Sequence, residues 1–206
     1  MIMRAFLDRF FRDERGLAAE FVLVLPLLLL LLLGTIDVGL YAYTINQAEK
    51  ATQIGARWAA VTDPLATEIR TTSYSGATVG STQLGQGDRV PAAALGLLTC
   101  NSTSCTCTTG PCPGTTFNGA AFTNLATRMK EILPSIKDTN IVVEYRGSGL
   151  GYAGDPNGPD IAPLITVRLT GYSYNSVVLS PLGTTTNLPD FAYSITSEDG
   201  SGTTSN

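Results

Sequence analysis

The sequence has no histidine in 206 residues. That absence removes Ser-His-Asp triads, Cys-His nucleophiles, HExxH zinc sites and histidine general bases together. Carboxylate-pair chemistry survives it. Charge is scarce as well: charged residues make up 15% of the chain, against about a quarter in typical domains, so the surface is not ion-rich. With a net charge of −4 the chain lacks the basic footprint of a nucleic-acid binder. The length fits one soluble domain, or one membrane span followed by a domain of ~150 residues.

What is present is distributed unevenly. Arg4, Arg9, Arg12 and Arg15 crowd the start. Phe21 to Leu33 is then an unbroken apolar run, all leucine from Leu27 onward, with Pro26 inside it. After Glu20 the next charge is Asp37. Residues 21–36 would span ~24 Å as helix, short of a hydrocarbon core of ~30 Å. Adding Leu17–Ala19 and Val38–Tyr43 makes the segment long enough, with Glu20 and Asp37 near the two faces. The basic flank comes before the span and the next basic residue is Lys50, so the positive-inside rule puts the N-terminus in the cytoplasm and the rest outside. Tyr41 and Tyr43 suit the outer interface. A secretory signal peptide would share the basic and leucine-rich regions, but no A-x-A-type site follows Leu33.

Residues 42–61 continue without proline. Ala48, Ala51, Thr52, Gly55 and Ala59 fall at helical spacing and form a small-residue stripe, against which another backbone can come close. The stripe suits either a partner helix or the chain's own domain. Asp63-Pro64 ends the helix. Pro26 removes one helical hydrogen bond, either softening the helix or being tolerated as membrane helices tolerate proline.

Beyond the helix the reading is α+β. Residues 71–87 are rich in serine, threonine and glycine and are expected to form a mobile loop. Pro91–Leu98 is expected to be a short helix. Cys100, Cys105, Cys107 and Cys112 come next in a C-x4-C-x-C-x4-C pattern. Four thiols this close invite a zinc site, but the pattern lacks the CxxC knuckle, and an even count in an oxidising compartment fits disulfides. Three pairings are open, and Cys105–Cys107 is the least comfortable of the contacts. Asn101–Ser104 can turn a hairpin. Asn118 can cap a helix to Leu133, with Phe122, Leu125, Ala126, Met129, Ile132 and Leu133 on one face as core. Strands are expected at Asn140–Arg146, Leu164–Tyr174 and Phe191–Thr196, whose alternation implies an antiparallel sheet with one wet face. Asp155 and Asp160 do not match an EF-hand loop and are read as solvated turn residues. The tail from Ser197 has no apolar residue and is expected to be disordered.

The N-terminal third carries a resemblance. Arg12-Asp13-Glu14-Arg15-Gly16, then Leu17-Ala18-Ala19-Glu20-Phe21, the leucine-rich span with its early proline, Asp37-Val38-Gly39, and Asn46-Gln47-Ala48 before an alanine-rich helix together resemble the TadE-like pseudopilins of tight-adherence pilus systems. The likeness covers residues ~9–62. It implies a membrane-anchored, pilin-like component of a pilus assembly and secretion machine linked to cell adhesion, with other pilin-like subunits and assembly proteins as partners. It also implies a prepilin peptidase cutting on the cytoplasmic side after a glycine. Carried over, Gly16 precedes the cut, Leu17 becomes the new N-terminus, and Glu20 with Phe21 forms the Glu-aromatic pair. The family pattern has four residues between glycine and glutamate; here there are three, so the chain is either cut at Gly16 in a shifted register or remains uncut. A freed amino group on a neighbouring subunit would partner Glu20; in an uncut chain Glu20 snorkels or pairs with Arg15 or Arg12.

The expected organisation is a basic cytoplasmic leader (1–16), a transmembrane helix (17–43), its continuation outside (44–63), an extracytoplasmic α+β domain (64–196) and the tail (197–206). The layout is that of a pilin: a long helix continuing into a small head with an antiparallel sheet, one packed helix and a disulfide-braced loop. The expected setting is the bacterial inner membrane, single-pass, with the lipid bilayer as a partner. No enzyme activity, metal, cofactor, nucleic acid or small-molecule substrate is expected, because no acidic pair marks a catalytic cleft. The alternative is a single-span periplasmic or surface interaction protein without a pilus role.

Overall fold

A computed structural model describes residues 14–176, 178, 185–198 and 200–204, with side chains from residue 20 onward. The chain forms two compact units: one contains the N-terminal helix through Tyr43 together with Tyr174–Thr186, the other Thr44–Ser173 and the chain from Asn187. The leader residues before Glu14 lie outside the described residues.

Helix α1 runs over Glu14–Val61 with Pro26 inside. Its sequence explains its length: leucine and alanine dominate, and Asp63-Pro64 supplies the stop. From Phe21 to Leu33 its side chains are exposed on all sides, from 36% at Leu25 to 77% at Leu23. A fully apolar circumference facing outward is the pattern of a helix solvated by lipid.

In the second unit the same helix is core. Ala48, Ala51, Thr52, Ala56, Ala59 and Ala60 are buried. After it come the short helix α2 (Glu68–Thr71), strands β1 (Thr78–Val79) and β2 (Thr82–Gln83), β3 (Leu97–Cys100) and β4 (Cys105–Thr109), helix α3 (Gly119–Lys130), β5 (Ile141–Arg146), β6 (Leu164–Leu169), β7 (Ser173–Tyr174), β8 (Thr186–Asn187) and β9 (Phe191–Thr196). Five strands make one antiparallel sheet in the order β4-β3-β5-β6-β9. β1 pairs β2, and β7 pairs β8.

Register decides which face is core. Leu98 sits opposite Tyr145, Tyr145 opposite Ile165, and Ile165 opposite Ile195. The next row sets Cys100, Val143, Val167 and Tyr193 side by side. The helices cover this face. A Cβ placed on Gly55 would lie 2.8 Å from Met129 Sδ of α3 and 3.4 Å from Val167 Cγ1 of β6. The small stripe of α1 therefore packs on its own domain, the second of its two readings. The opposite face is polar, with Arg168 Nε donating to Glu144 Oε1 at 2.9 Å and Thr166 bonded to Ser194 at 2.8 Å.

Several expectations are corrected. The segment 71–87 is an ordered hairpin, because its few large side chains serve as plugs: Tyr74 and Leu84 are buried, and the Gly76 amide donates to the Leu84 carbonyl at 2.8 Å. In place of a helix over 91–98 there is one 3-10 turn at Ala92–Ala94 and then β3. Pairing with both β4 and β5 outweighs alanine's preference for helix. The strand from Leu164 stops at Leu169, since Asn140 Nδ2 donates to the carbonyls of Thr170 and Gly171 and Gly171 turns with φ +60°. α3 ends at Lys130, and Ile132 is only half-buried. The described part of the tail is docked: the Glu198 amide donates to the Ala60 carbonyl at 2.8 Å, and Asp63 and Gly202 exchange hydrogen bonds.

Candidate functional site: the anchor helix and its polar exit

The first unit is built from α1 and one returning segment. Gly16 and Leu17 lie in the first turns of α1, and Glu20 is exposed one turn further on. The exposed apolar surface then continues past Asp37, with Ile36, Val38, Leu40 and Tyr43 all exposed. Asp37 is not left to solvent. Its Oδ1 accepts from the Tyr174 hydroxyl at 2.7 Å, and its Oδ2 accepts from the Ser176 hydroxyl and from the Val178 amide at 3.5 Å. The Tyr174 ring meets Tyr41 edge-on, with ring centroids 5.6 Å apart.

Sequence reasoning placed Asp37 at the outer interface and left its charge to water. It missed the donors because they lie far along the chain. The available signal was a composition change: Val177-Val178-Leu179 and Pro181-Leu182 interrupt a segment otherwise rich in serine and threonine.

The second unit braces its surface with two disulfides, Cys100–Cys105 and Cys107–Cys112. Cys100 and Cys105 face each other across the β3–β4 hairpin, where Asn101 Oδ1 accepts from the amides of Thr103 and Ser104 at 2.9 Å each. This resolves the three open pairings. Short loops of this kind contribute about 2 kcal/mol each in the chain-entropy picture.

Asp160 corrects another expectation. It is 5% exposed, not solvated. Its carboxylate accepts from the amides of Tyr74 at 2.5 Å, Gly154 at 2.7 Å and Asp155 at 3.1 Å, and from the Ser73 hydroxyl at 3.2 Å. Burial raises its pKa, but the donations from Gly154, Tyr74, Asp155 and Ser73 outweigh that and hold it below the usual carboxylate value. A carboxylate ringed by donors is an internal staple, not a cation ligand. Among the described residues no group of three or more His, Cys, Asp or Glu side chains could hold a metal. Tyr145, fully buried at the sheet centre, accepts from the Leu65 amide at 3.0 Å, and burial pushes its phenol well above the ordinary value.

These features define a class: an α+β protein with one exposed apolar N-terminal helix long enough to cross a membrane and a small disulfide-bearing sheet domain. Residues 17–57 match the family model described as TadE-like protein, and over that segment the chain is TadE-like. The matched segment covers both the exposed apolar half of α1 and most of its buried small-residue half. No curated protein and no solved structure matches the chain.

Proposed function

We propose that the protein is a membrane-anchored, pseudopilin-like component of a tight-adherence pilus assembly and secretion system, acting by protein–protein contacts rather than by catalysis. The observation that carries this reading is the coincidence of the TadE-like match with a single helix that is lipid-type in one half and core in the other. The anchor sits in the inner membrane with its arginine-rich start in the cytoplasm and its sheet domain outside, as the charge asymmetry favours. Its partners are other pilin-like subunits, assembly proteins and, if the leader is removed, a prepilin peptidase.

Three measurements test it. If the leader is cut, the intact mass of membrane-extracted protein lacks residues 1–16, and Gly16→Arg retains them. Full-length mass in the wild type leaves an uncut bitopic subunit. Deleting the gene is expected to abolish surface pili. Unchanged piliation and adhesion would favour the single-span interaction protein without a pilus role. Alkaline phosphatase fused after Asn206 should be active, and a fusion active only as a cytosolic reporter would reverse the orientation.

A further inference from the structure

We propose that the Tyr174–Val178 segment is a second membrane contact, entering the outer leaflet beside the anchor helix and carrying the hydrogen bonds that let Asp37 sit below headgroup level. The partner is lipid, and the inference rests on the anchor reading above.

The argument begins with length. Residues 21–36 are too short for the hydrocarbon core, at ~24 Å against ~30 Å. Residues 21–43 reach ~34 Å, and the exposed side chains of Ile36, Val38, Leu40 and Tyr43 show that the apolar surface continues that far. A helix that uses this surface takes Asp37 into the outer leaflet. A carboxylate there needs protein donors, because water is scarce and an unsatisfied polar group in hydrocarbon costs several kcal/mol.

The structure supplies those donors from one segment. The Tyr174 hydroxyl, the Ser176 hydroxyl and the Val178 amide all converge on Asp37. Tyr174 also packs edge-on against Tyr41, so two amphipathic rings meet at the level where tyrosines favour the interface. A segment tied to Asp37 by its own backbone accompanies Asp37 to whatever depth the helix takes. Its sequence suits that depth: Val177, Val178 and Leu179 are followed by Pro181 and Leu182, with no charge from Tyr174 to Thr186. The segment belongs to the same compact unit as the apolar half of α1.

The test places a fluorescent label on single cysteines of the full chain, the four native cysteines being paired. The positions are Val178→Cys, Leu29→Cys in the span and Gln83→Cys on the sheet domain. The protein is reconstituted in phosphatidylethanolamine/phosphatidylglycerol vesicles containing lipids brominated at shallow or deep acyl positions, and aqueous iodide is the opposing quencher. Residue 178 is expected to be quenched several-fold more by shallow brominated lipid than by iodide. Residue 29 should respond to the deep bromines and residue 83 to iodide. Iodide quenching at 178 with bromine quenching at 29 overturns the inference and leaves the anchor intact. Shielding of 178 from both quenchers overturns it in favour of a protein contact. Loss of bromine quenching at 29 overturns the anchor reading itself. In the Tyr174→Phe/Ser176→Ala double variant, lipid quenching at 178 should fall while that at 29 stays. No change at 178 would show that the bonds to Asp37 do not hold the segment in the membrane.

Discussion

Asp160 shows how much organisation one side chain can impose. It gathers Ser73, Tyr74, Gly154 and Asp155 from two glycine-rich loops. Asp160→Asn places an amide NH2 among donors and is expected to cost about 1–3 kcal/mol, read as a lowered chemical-denaturation midpoint of the detergent-solubilised chain. The pH dependence has a definite sign. Because the folded pKa is depressed, the contribution is present above the unfolded carboxylate value of about 3.9 and is lost as pH falls through the folded value. Acidifying from about pH 6 to about pH 3 should therefore destabilise the wild type more than Asp160→Asn. Equal losses in both would show that Asp160 carries no such linkage. Gly151 belongs to the same region and shows why the loop is glycine-rich: it has φ +115°, and a Cβ there would meet the Asp160 carbonyl at 2.2 Å.

At the scale of elements, α1 is two helices in one. Its outer half tolerates almost any apolar residue, because Leu27 to Leu33 are exposed among the described residues. Its inner half does not. Gly55→Ala should change stability by less than about 1 kcal/mol, since the gain in helix propensity is offset by crowding of the buried Met129 Sδ and Cγ, 2.8 and 2.9 Å from the added Cβ. Gly55→Leu should cost about 1–3 kcal/mol by prising α1 from α3 and β6. A melting curve followed by Trp58 fluorescence separates the two, and equal midpoints would show that the contact is not tight. The disulfides divide in the same way. Cys100 and Cys105 are buried, whereas Cys107 is exposed and Cys112 half-buried. Mild reductant and then alkylation should label Cys107 and Cys112 first, and simultaneous labelling of all four would show the hairpin opening as a unit. Legibility in the sequence depended on whether an element's signal was local. α1, the Asn118-capped α3, β5 and β9 announced themselves by period, cap and alternation. β3 did not, because its alanine- and leucine-rich approach reads as helix until two neighbouring strands claim it. The bonds to Asp37 were invisible, because hydroxyl donors carry no periodicity and lie at the far end of the chain.

For the whole molecule, local apolar runs and alternation set the class: an α+β protein with an N-terminal apolar helix long enough to cross a membrane. The TadE-like segment ends at residue 57, inside the helix, so the sheet domain must be understood from its own packing. That packing has a consequence for biogenesis. The domain's central helix is synthesised before its sheet, while β9, which covers the open side of β6 along Leu164–Leu169, follows the other four strands of that sheet. The domain cannot complete its sheet until residue 196 is free to pair. Until then its half-built form exposes the unpaired edge of β6, and a holding chaperone would have most to do in that interval.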